Sequence, residues 1–169
     1  NWDLSEQDND LLEFTRTMMW LRRDHPVLRR RRFFTGDARH GGESELGEIE
    51  WLTPAGESMT DQDWTTWYAR AMMVFLNGEA IAEPDERGQR IVDDSFLVLI
   101  NASDEDITFT LPGEGYAPTW KVALDTAPAV DGDSDPVLAA DDTVVVEARS
   151  MLFLIDAPES AATTERHPR

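Results

Sequence analysis

The chain has 169 residues, of which 41% are hydrophobic, which is typical of one folded domain or of one domain plus a fragment and not of a disordered chain. Its 34 acidic residues outnumber its 15 basic ones and give a net charge of −19, so nucleic acid and anionic membranes are poor candidates as partners. The absence of cysteine excludes disulfides and Cys-ligated zinc, and it fits a reducing cytoplasm.

The first predicted element is an amphipathic helix from residue 5 to about residue 24. Ser5 is a favoured N-cap residue, and Asp8 lies at the N3 position, from which its carboxylate can reach back to the cap. Pro26 is expected to end the helix, and His25 is interpreted as the residue at that end. One face of the helix is predicted to be apolar at spacings of three and four, with members Leu11, Leu12, Phe14, Met18, Met19 and Leu21.

This helix is predicted to belong to a different unit from the rest of the chain. A single amphipathic helix in front of a series of strands is not a balanced α/β pattern, so its apolar stripe is expected to need a partner outside this chain. Residues 1–30 are therefore interpreted as the last helix of a preceding domain. The missing initiating Met also suggests a piece cut from something longer.

From residue 31 onward, short apolar runs separated by turn residues predict an all-β domain. The run 95–101 is apolar on both faces and is predicted to be a central strand, and the last two strands are predicted to pair as a hairpin about Arg149. About six or seven strands predict a mainly β chain, an antiparallel β-sandwich over 31–157. The predicted strands are 48–52, 70–76, 95–101, 107–111, 119–124, 143–148 and 150–156.

Three segments are predicted to lack regular structure. Residues 35–47 are rich in Gly and charged side chains, and residues 127–142 contain two prolines and many aspartates, so both are predicted loops. The polar segment 158–169 is predicted to be a disordered tail.

No sequence pattern indicates catalysis, a metal or a cofactor. The pairs Asp93-Asp94 and Asp141-Asp142 are interpreted as turn and surface residues, because neighbouring positions of a strand point to opposite faces. The acidic run 131–135 has the spacing of a calcium loop but lacks the Gly and Glu that an EF-hand needs. The three histidines are scattered, no nucleotide-binding or serine-nucleophile motif is present, and the run 29–32 of four arginines is expected to form salt bridges.

The tryptophans offer the one candidate binding surface. Trp51 and Trp120 lie in strand patterns and are predicted to be core residues. Trp64 and Trp67 lie in the turn-rich segment MTDQDWTTWY and are candidates for contact with a sugar, since flat aromatic rings stack on the C–H-rich faces of sugars. Packing within the fold is the favoured alternative for both residues.

Several segments, taken in order, carry a resemblance to a known family. They are LLEFTRTMMWLRRDHPVLRRRRFF (11–34), IEWLTPAGESMTDQDW (49–64), MVFLNGEAI (73–81), DDSFLVLINAS (93–103), WKVALDT (120–126) and ARSMLFLI (148–155). Together they resemble bacterial glycogen-debranching enzymes of the isoamylase type, members of glycoside hydrolase family 13, the α-amylase superfamily.

The resemblance implies a (β/α)₈ catalytic barrel followed by a β-sandwich. Residues 1–30 would end the barrel and residues 31–157 would form the sandwich, while the catalytic carboxylates would all lie upstream. It implies a cytoplasmic enzyme that hydrolyses α-1,6-glucosidic branch linkages in glycogen or limit dextrins without a cofactor. This chain alone is then expected to be inactive and to pack on and stabilise the barrel. The alternatives are an accessory glucan-binding module that uses Trp64 and Trp67, and a calcium-stabilised acidic domain.

Overall fold

The computed structural model of the chain describes residues 5–34, 46–66, 70–127 and 136–157. The helices are α1 (Glu6–Asp24) and α2 (Asp61–Thr65), and short 3-10 helices span Pro26–Arg29 and Gly78–Ala80. The strands are β1 (Ile49–Leu52), β2 (Ala71–Leu76), β3 (Phe96–Asn101), β4 (Ile107–Thr110), β5 (Thr119–Asp125), β6 (Val137–Ala139), β7 (Thr143–Val146) and β8 (Ser150–Asp156). Within these ranges, no helix has the length and apolar character needed to cross a membrane.

The strands form two antiparallel layers. The larger sheet has the order β1-β2-β3-β8-β5-β6, and β4 pairs with β7 in a smaller second sheet. Leu97, Trp120 and Leu152 of the large sheet pack against Phe109 and Val146 of the small one, so the main core lies between the layers. These findings confirm the predicted mainly β, antiparallel sandwich-type fold and the central position of β3.

A buried amide ties the two layers together at one end. Asn101, at the end of β3, is only 1% exposed. Its Nδ2 donates to the carbonyl oxygens of Val146 and Glu147, both at 3.0 Å, where β7 ends. Because a buried amide needs partners for its donors, these bonds fix the relative position of the large and small sheets.

Helix α1 begins and ends as its sequence predicts. Ser5 Oγ accepts the backbone N–H of Asp8 at 3.2 Å, and the Asp8 carboxylate accepts the N–H of Ser5 at 3.0 Å, which completes a capping box. The hydrogen bond from the Ser5 side chain is the main reason that the pKa of Asp8 is lowered. The helix ends at Asp24, and Pro26 opens the 3-10 helix that follows.

Most of the apolar stripe of α1 has no cover within the described residues. None of the residues of α1 is buried. Leu11 is 64% exposed and Met18 is 46% exposed, whereas Leu21, near the helix end, packs against a small cluster that contains Val27 and Phe96. The helix is therefore attached to the β-domain at its carboxyl end while its apolar face stays open.

The predicted final hairpin is wrong. Strand β7 pairs with β4 in the small sheet, and β8 pairs with β3 and β5 in the large one. The chain changes layer at Arg149, whose φ is 56°. Alternation of apolar residues identified both strands but carries no information on which neighbour each one takes, and consecutive strands need not pair.

Two further predictions need correction. Residues 127–142 were predicted to be a loop, but β6 lies inside this range and pairs with residues 119–121 of β5. Three residues are too few to show a periodic pattern. Trp120 is fully buried as predicted, but Trp51 is 38% exposed, because β1 is an edge strand and its Trp51 lies on the outer face of the sheet. The loop residues 35–45 and 128–135 and the tail 158–169 lie outside the described residues.

Candidate functional site

Trp64 lies on the surface next to a second tryptophan. It is located on α2 and is 50% exposed. Its ring contacts that of Trp51 edge to face, with centroids 5.3 Å apart and planes at 74°. The structure thus pairs Trp64 with a residue that was predicted to be core, while Trp67, the other candidate from the sequence, lies outside the described residues.

Backbone hydrogen bonds set the distance between these two tryptophans. After β1 the chain turns at Gly56, which has a φ of 83°, and runs back along the strand until the N–H of Met59 donates to the carbonyl of Trp51 at 2.8 Å. Such a positive φ favours glycine, because a side chain there would be strained. The return segment leads directly into α2 and so delivers Trp64 to the outer side of β1.

A capping box holds α2 in place although the helix has only five residues. The Asp63 carboxylate accepts the N–H of Thr60 at 2.8 Å and its hydroxyl at 2.7 Å. The side-chain hydrogen bond from Thr60, followed by the backbone one, lowers the pKa of Asp63. These bonds favour the carboxylate form of Asp63, which as the acceptor of the cap keeps Trp64 oriented.

A groove of about 320 Å³ runs along the other side of α2. Neither Trp51 nor Trp64 is among the residues that line it. The segment 46–66 contains no Lys or Arg. This segment therefore offers aromatic faces and neutral or acidic polar groups, while the exposed Arg70 directly precedes the groove-lining Ala71 in the chain. The groove is lined by Thr53, Pro54, Met59, Gln62, Asp63, Thr66 and Ala71.

A second polar cluster lies where α1 meets the β-domain. The Asp93 side chain, 7% exposed, accepts from the backbone N–H of Val27 at 2.9 Å and contacts His25 Nδ1 at 2.9 Å. The His25 ring also lies edge to face with Phe96, with centroids 4.8 Å apart. This cluster pins the end of α1 to the start of β3, so His25 does more than end the helix.

The same cluster is the one group of potential metal ligands found among the described residues. Ligand atoms of His25, Asp93 and Asp94 lie within 4.8 Å of one another. Both carboxylate oxygens of Asp93 already serve as hydrogen-bond acceptors, one of them also for the N–H of Asp94 at 2.9 Å. We therefore interpret the group as a structural junction. The acidic run 131–135 lies outside the described residues.

A buried ion pair also connects the segment that follows α1 to the start of β1. Arg30 Nη1 lies 3.4 Å from Glu48 Oε2, and the two side chains are 7% and 3% exposed. Arg30 Nη2 also donates to the carbonyl of Ala80 at 2.8 Å. The prediction that the arginine run forms salt bridges is confirmed for this residue, and the pair holds Arg30 against the residue that precedes β1.

An acidic cavity of about 300 Å³ lies at the end of β8. Asp156 and Glu79 both line it, together with Asn77, Ser95 and Tyr116. Burial, followed by the charges of nearby Asp and Glu side chains, raises the pKa of Asp156, against a lowering hydrogen bond with the Ser95 backbone. Desolvation is therefore the main cause of the shift, and the geometry assigns no acid–base pair here.

This chain is similar to known proteins over most of its length. The family described as "Isoamylase, C-terminal" matches residues 48–157. The "Glycogen operon protein GlgX homolog" of Mycobacterium bovis is 49% identical over 154 residues, which cover 91% of this chain and 21% of that protein. The "Isoamylase" of a Flavobacterium species is 25% identical, over 91% of this chain and 20% of that protein.

A solved structure supports the fold independently. The pullulanase of Anoxybacillus sp. LM18-11, solved in complex with maltotetraose, matches with a TM-score of 0.50 and 12% identity, over 93% of this chain and 17% of that one. At this identity the likeness concerns the fold alone. The chain spans about a fifth of the length of the curated relatives that it matches.

Proposed function

The chain belongs to the family of isoamylase C-terminal domains, and from that premise we propose that it is the C-terminal structural module of a glycogen-debranching enzyme. Its role is to pack on the catalytic barrel of the same enzyme and to stabilise it. Residues 1–30 form the end of the barrel in this proposal, and residues 31–157 form the β-sandwich.

The observation that carries this proposal is the open apolar face of α1. Leu11, Met18 and Met19 are 64%, 46% and 67% exposed, although they lie on the helix that leads into the β-domain. A contiguous exposed apolar surface marks an interaction site. Each of these side chains contributes about 1.5–3 kcal/mol when it is fully buried. The relatives are about five times as long as the matched region, which leaves ample chain for a covering domain.

The junction of α1 with the sandwich suits a supporting role. The His25–Asp93 contact and the Arg30–Glu48 pair hold the helix end and the linker against the large sheet. A barrel that packs on α1 is therefore attached to the sandwich through buried polar contacts. Breaking such buried pairs is costly, so the two parts behave as one mechanical unit.

The chemistry of the parent enzyme lies upstream in this proposal. The enzyme hydrolyses α-1,6-glucosidic linkages of glycogen or limit dextrins with carboxylates of the barrel, and we assign no catalytic residue to this chain. Asp93 has a hydrogen-bonding role at the junction with α1, and Asp142 has one within the β-domain. The proposal also places the enzyme in the cytoplasm, in keeping with the cysteine-free sequence.

Two variants of the longer enzyme test this role. The double variant Leu11→Glu/Met18→Glu charges the apolar face, and we expect it to lower the unfolding temperature of the enzyme by several degrees. The control Thr17→Glu adds charge on the polar side of α1 and should have little effect. In parallel, the purified chain should release no reducing ends from glycogen. Release that survives repurification, or equal effects of the double variant and the control, would overturn the proposal.

A further inference from the structure

The paired indoles of Trp51 and Trp64 form an exposed aromatic corner that the structural role of the chain does not use. Trp51 lies on the outer face of the sheet, opposite Val74 of β2. The two rings are 38% and 50% exposed, whereas Trp120 is completely buried in the core. Isolated exposed apolar residues are normal on protein surfaces, but two large rings in contact form a patch that calls for an explanation.

The corner is preorganised. The perpendicular contact of the rings, with centroids 5.3 Å apart, restricts the rotation of each indole. The hydrogen bond from Met59 to the carbonyl of Trp51 and the capping box of Thr60 and Asp63 fix the backbone on both sides. A ligand that stacks on these rings would lose little affinity to the ordering of the protein.

The surroundings define the chemistry of the ligand. Segment 46–66 has no basic residue, and the whole chain carries a net charge of −19, so an anionic ligand is disfavoured. The groove beside α2 is lined by the polar side chains of Gln62, Asp63 and Thr66. Apolar ring faces beside neutral hydrogen-bonding groups suit a neutral, polyhydroxylated ligand whose C–H-rich faces can stack.

From these features we propose that Trp51 and Trp64 form a contact site for an α-glucan chain, with the groove beside α2 hydrogen-bonding to sugar hydroxyls. The choice of an α-glucan rests on the proposed function, since it is the polymer on which the parent enzyme would act. Trp64 is the exposed stacking residue, and Trp51 is the ring that supports it from the side. The site would keep the polymer attached to the enzyme through a domain that performs no chemistry.

Affinity electrophoresis of the 169-residue chain tests the site. Gels with glycogen, with dextran and without polysaccharide are run for the unmodified chain and for Trp64→Ala and Trp20→Ala. Trp20 is the matched control, because it is 53% exposed on α1, away from the groove. We expect glycogen, but not dextran, to retard the unmodified chain and Trp20→Ala. Removal of a tryptophan anchor should weaken the retardation of Trp64→Ala at least about fivefold.

Two further measurements keep the outcomes distinct. The far-ultraviolet circular dichroism and the melting temperature of Trp64→Ala should equal those of the unmodified chain, and Trp64→Phe should recover part of the retardation. Absence of retardation of the unmodified chain, or equal retardation of the Trp64→Ala and Trp20→Ala variants, would overturn the site. A Trp64→Ala change that destabilises the longer enzyme without affecting retardation would also overturn it and assign the corner to domain packing. None of these results tests the apolar face of α1, on which the proposed function depends.

Discussion

His25 Nδ1 lies 2.9 Å from Oδ1 of Asp93, which joins two residues 68 positions apart in the chain. This contact connects the end of α1 to the residues that precede β3. The same carboxylate accepts the backbone N–H of Val27, so one aspartate holds both the helix end and the 3-10 helix after it. The attachment of α1 to the β-domain thus depends strongly on a single side chain.

Replacing this side chain should weaken the attachment. Asp93→Ala removes a buried acceptor and leaves the N–H of Val27 unpaired, which we expect to reduce the free energy of unfolding by about 1–3 kcal/mol. Asp94→Ala is the control, because the Asp94 side chain is 53% exposed and lies 3.9 Å from His25. Urea unfolding of both variants checks this, and equal midpoints would show that the junction contributes nothing.

Gly78 permits the close approach of the backbone that places Asp93. A Cβ atom on Gly78 would lie 2.1 Å from the carbonyl oxygen of Asp93 and 2.3 Å from that of Asp94. Gly78→Ala must therefore push two strand-connecting segments apart, at a cost of about 1–3 kcal/mol or more. Gly115→Ala meets nothing within 4 Å and serves as the control. Thermal unfolding should separate the two variants by several degrees, and a Gly78→Ala midpoint equal to the control would contradict the close approach of Gly78 to Asp93.

Arg30 is expected to be more important than its neighbours in the arginine run. Arg30→Ala removes the cation beside the buried Glu48 carboxylate and the hydrogen bond to the carbonyl of Ala80, which we expect to cost about 1–3 kcal/mol. Arg29→Ala changes an exposed residue of the same type, for which a change within about 0.5 kcal/mol is expected. The comparison uses chemical denaturation at neutral pH. Similar losses for the two variants would mean that the buried pair contributes no more than a surface charge.

Asp156 should make stability depend on pH. Its folded-state pKa is raised above the ordinary value of 3.8, so its contribution to stability is fully present below that value and is lost as pH rises through the folded-state pKa. The Asp156→Asn variant has no ionisable carboxyl at this position and should be more stable than the unmodified chain at pH 7. The gain in the free energy of unfolding should be less than about 1 kcal/mol, because the side chain is only partly buried. At pH 3.5 this advantage should disappear. Glu114→Gln, on the exposed surface, is the control, and an advantage independent of pH would contradict the assignment.

The sequence predicted the elements better than their arrangement. The capping box of Ser5 and Asp8 and the boundaries of β8 follow from local patterns, and the structure shows them as predicted. Strand partners depend on contacts between distant residues, which explains the wrong hairpin about Arg149. The three-residue β6 was missed because it is held by pairing with β5 and not by a pattern of its own.

The candidate site was predicted only in part. Packing within the fold is the interpretation that the sequence favours for Trp64, whereas the structure leaves this residue 50% exposed. The alternation of β1 could not distinguish the inner from the outer face of the sheet for Trp51, because a strand has two faces and either can be covered. The Asp93 junction gave no signal in the sequence, since its partners are 66 and 68 residues away. Only the folded chain brings these groups together.

The most direct test of the central claim is hydrogen–deuterium exchange of the α1 amides in the isolated chain and in the longer enzyme. If the apolar face of α1 packs on a catalytic barrel, the amides of Glu6–Asp24 should exchange readily in the isolated chain and much more slowly in the longer enzyme. The amides of β3 and β8, which are central in both states, should serve as the internal reference. Equal exchange of α1 in the two proteins would contradict the proposal that this chain supports a barrel.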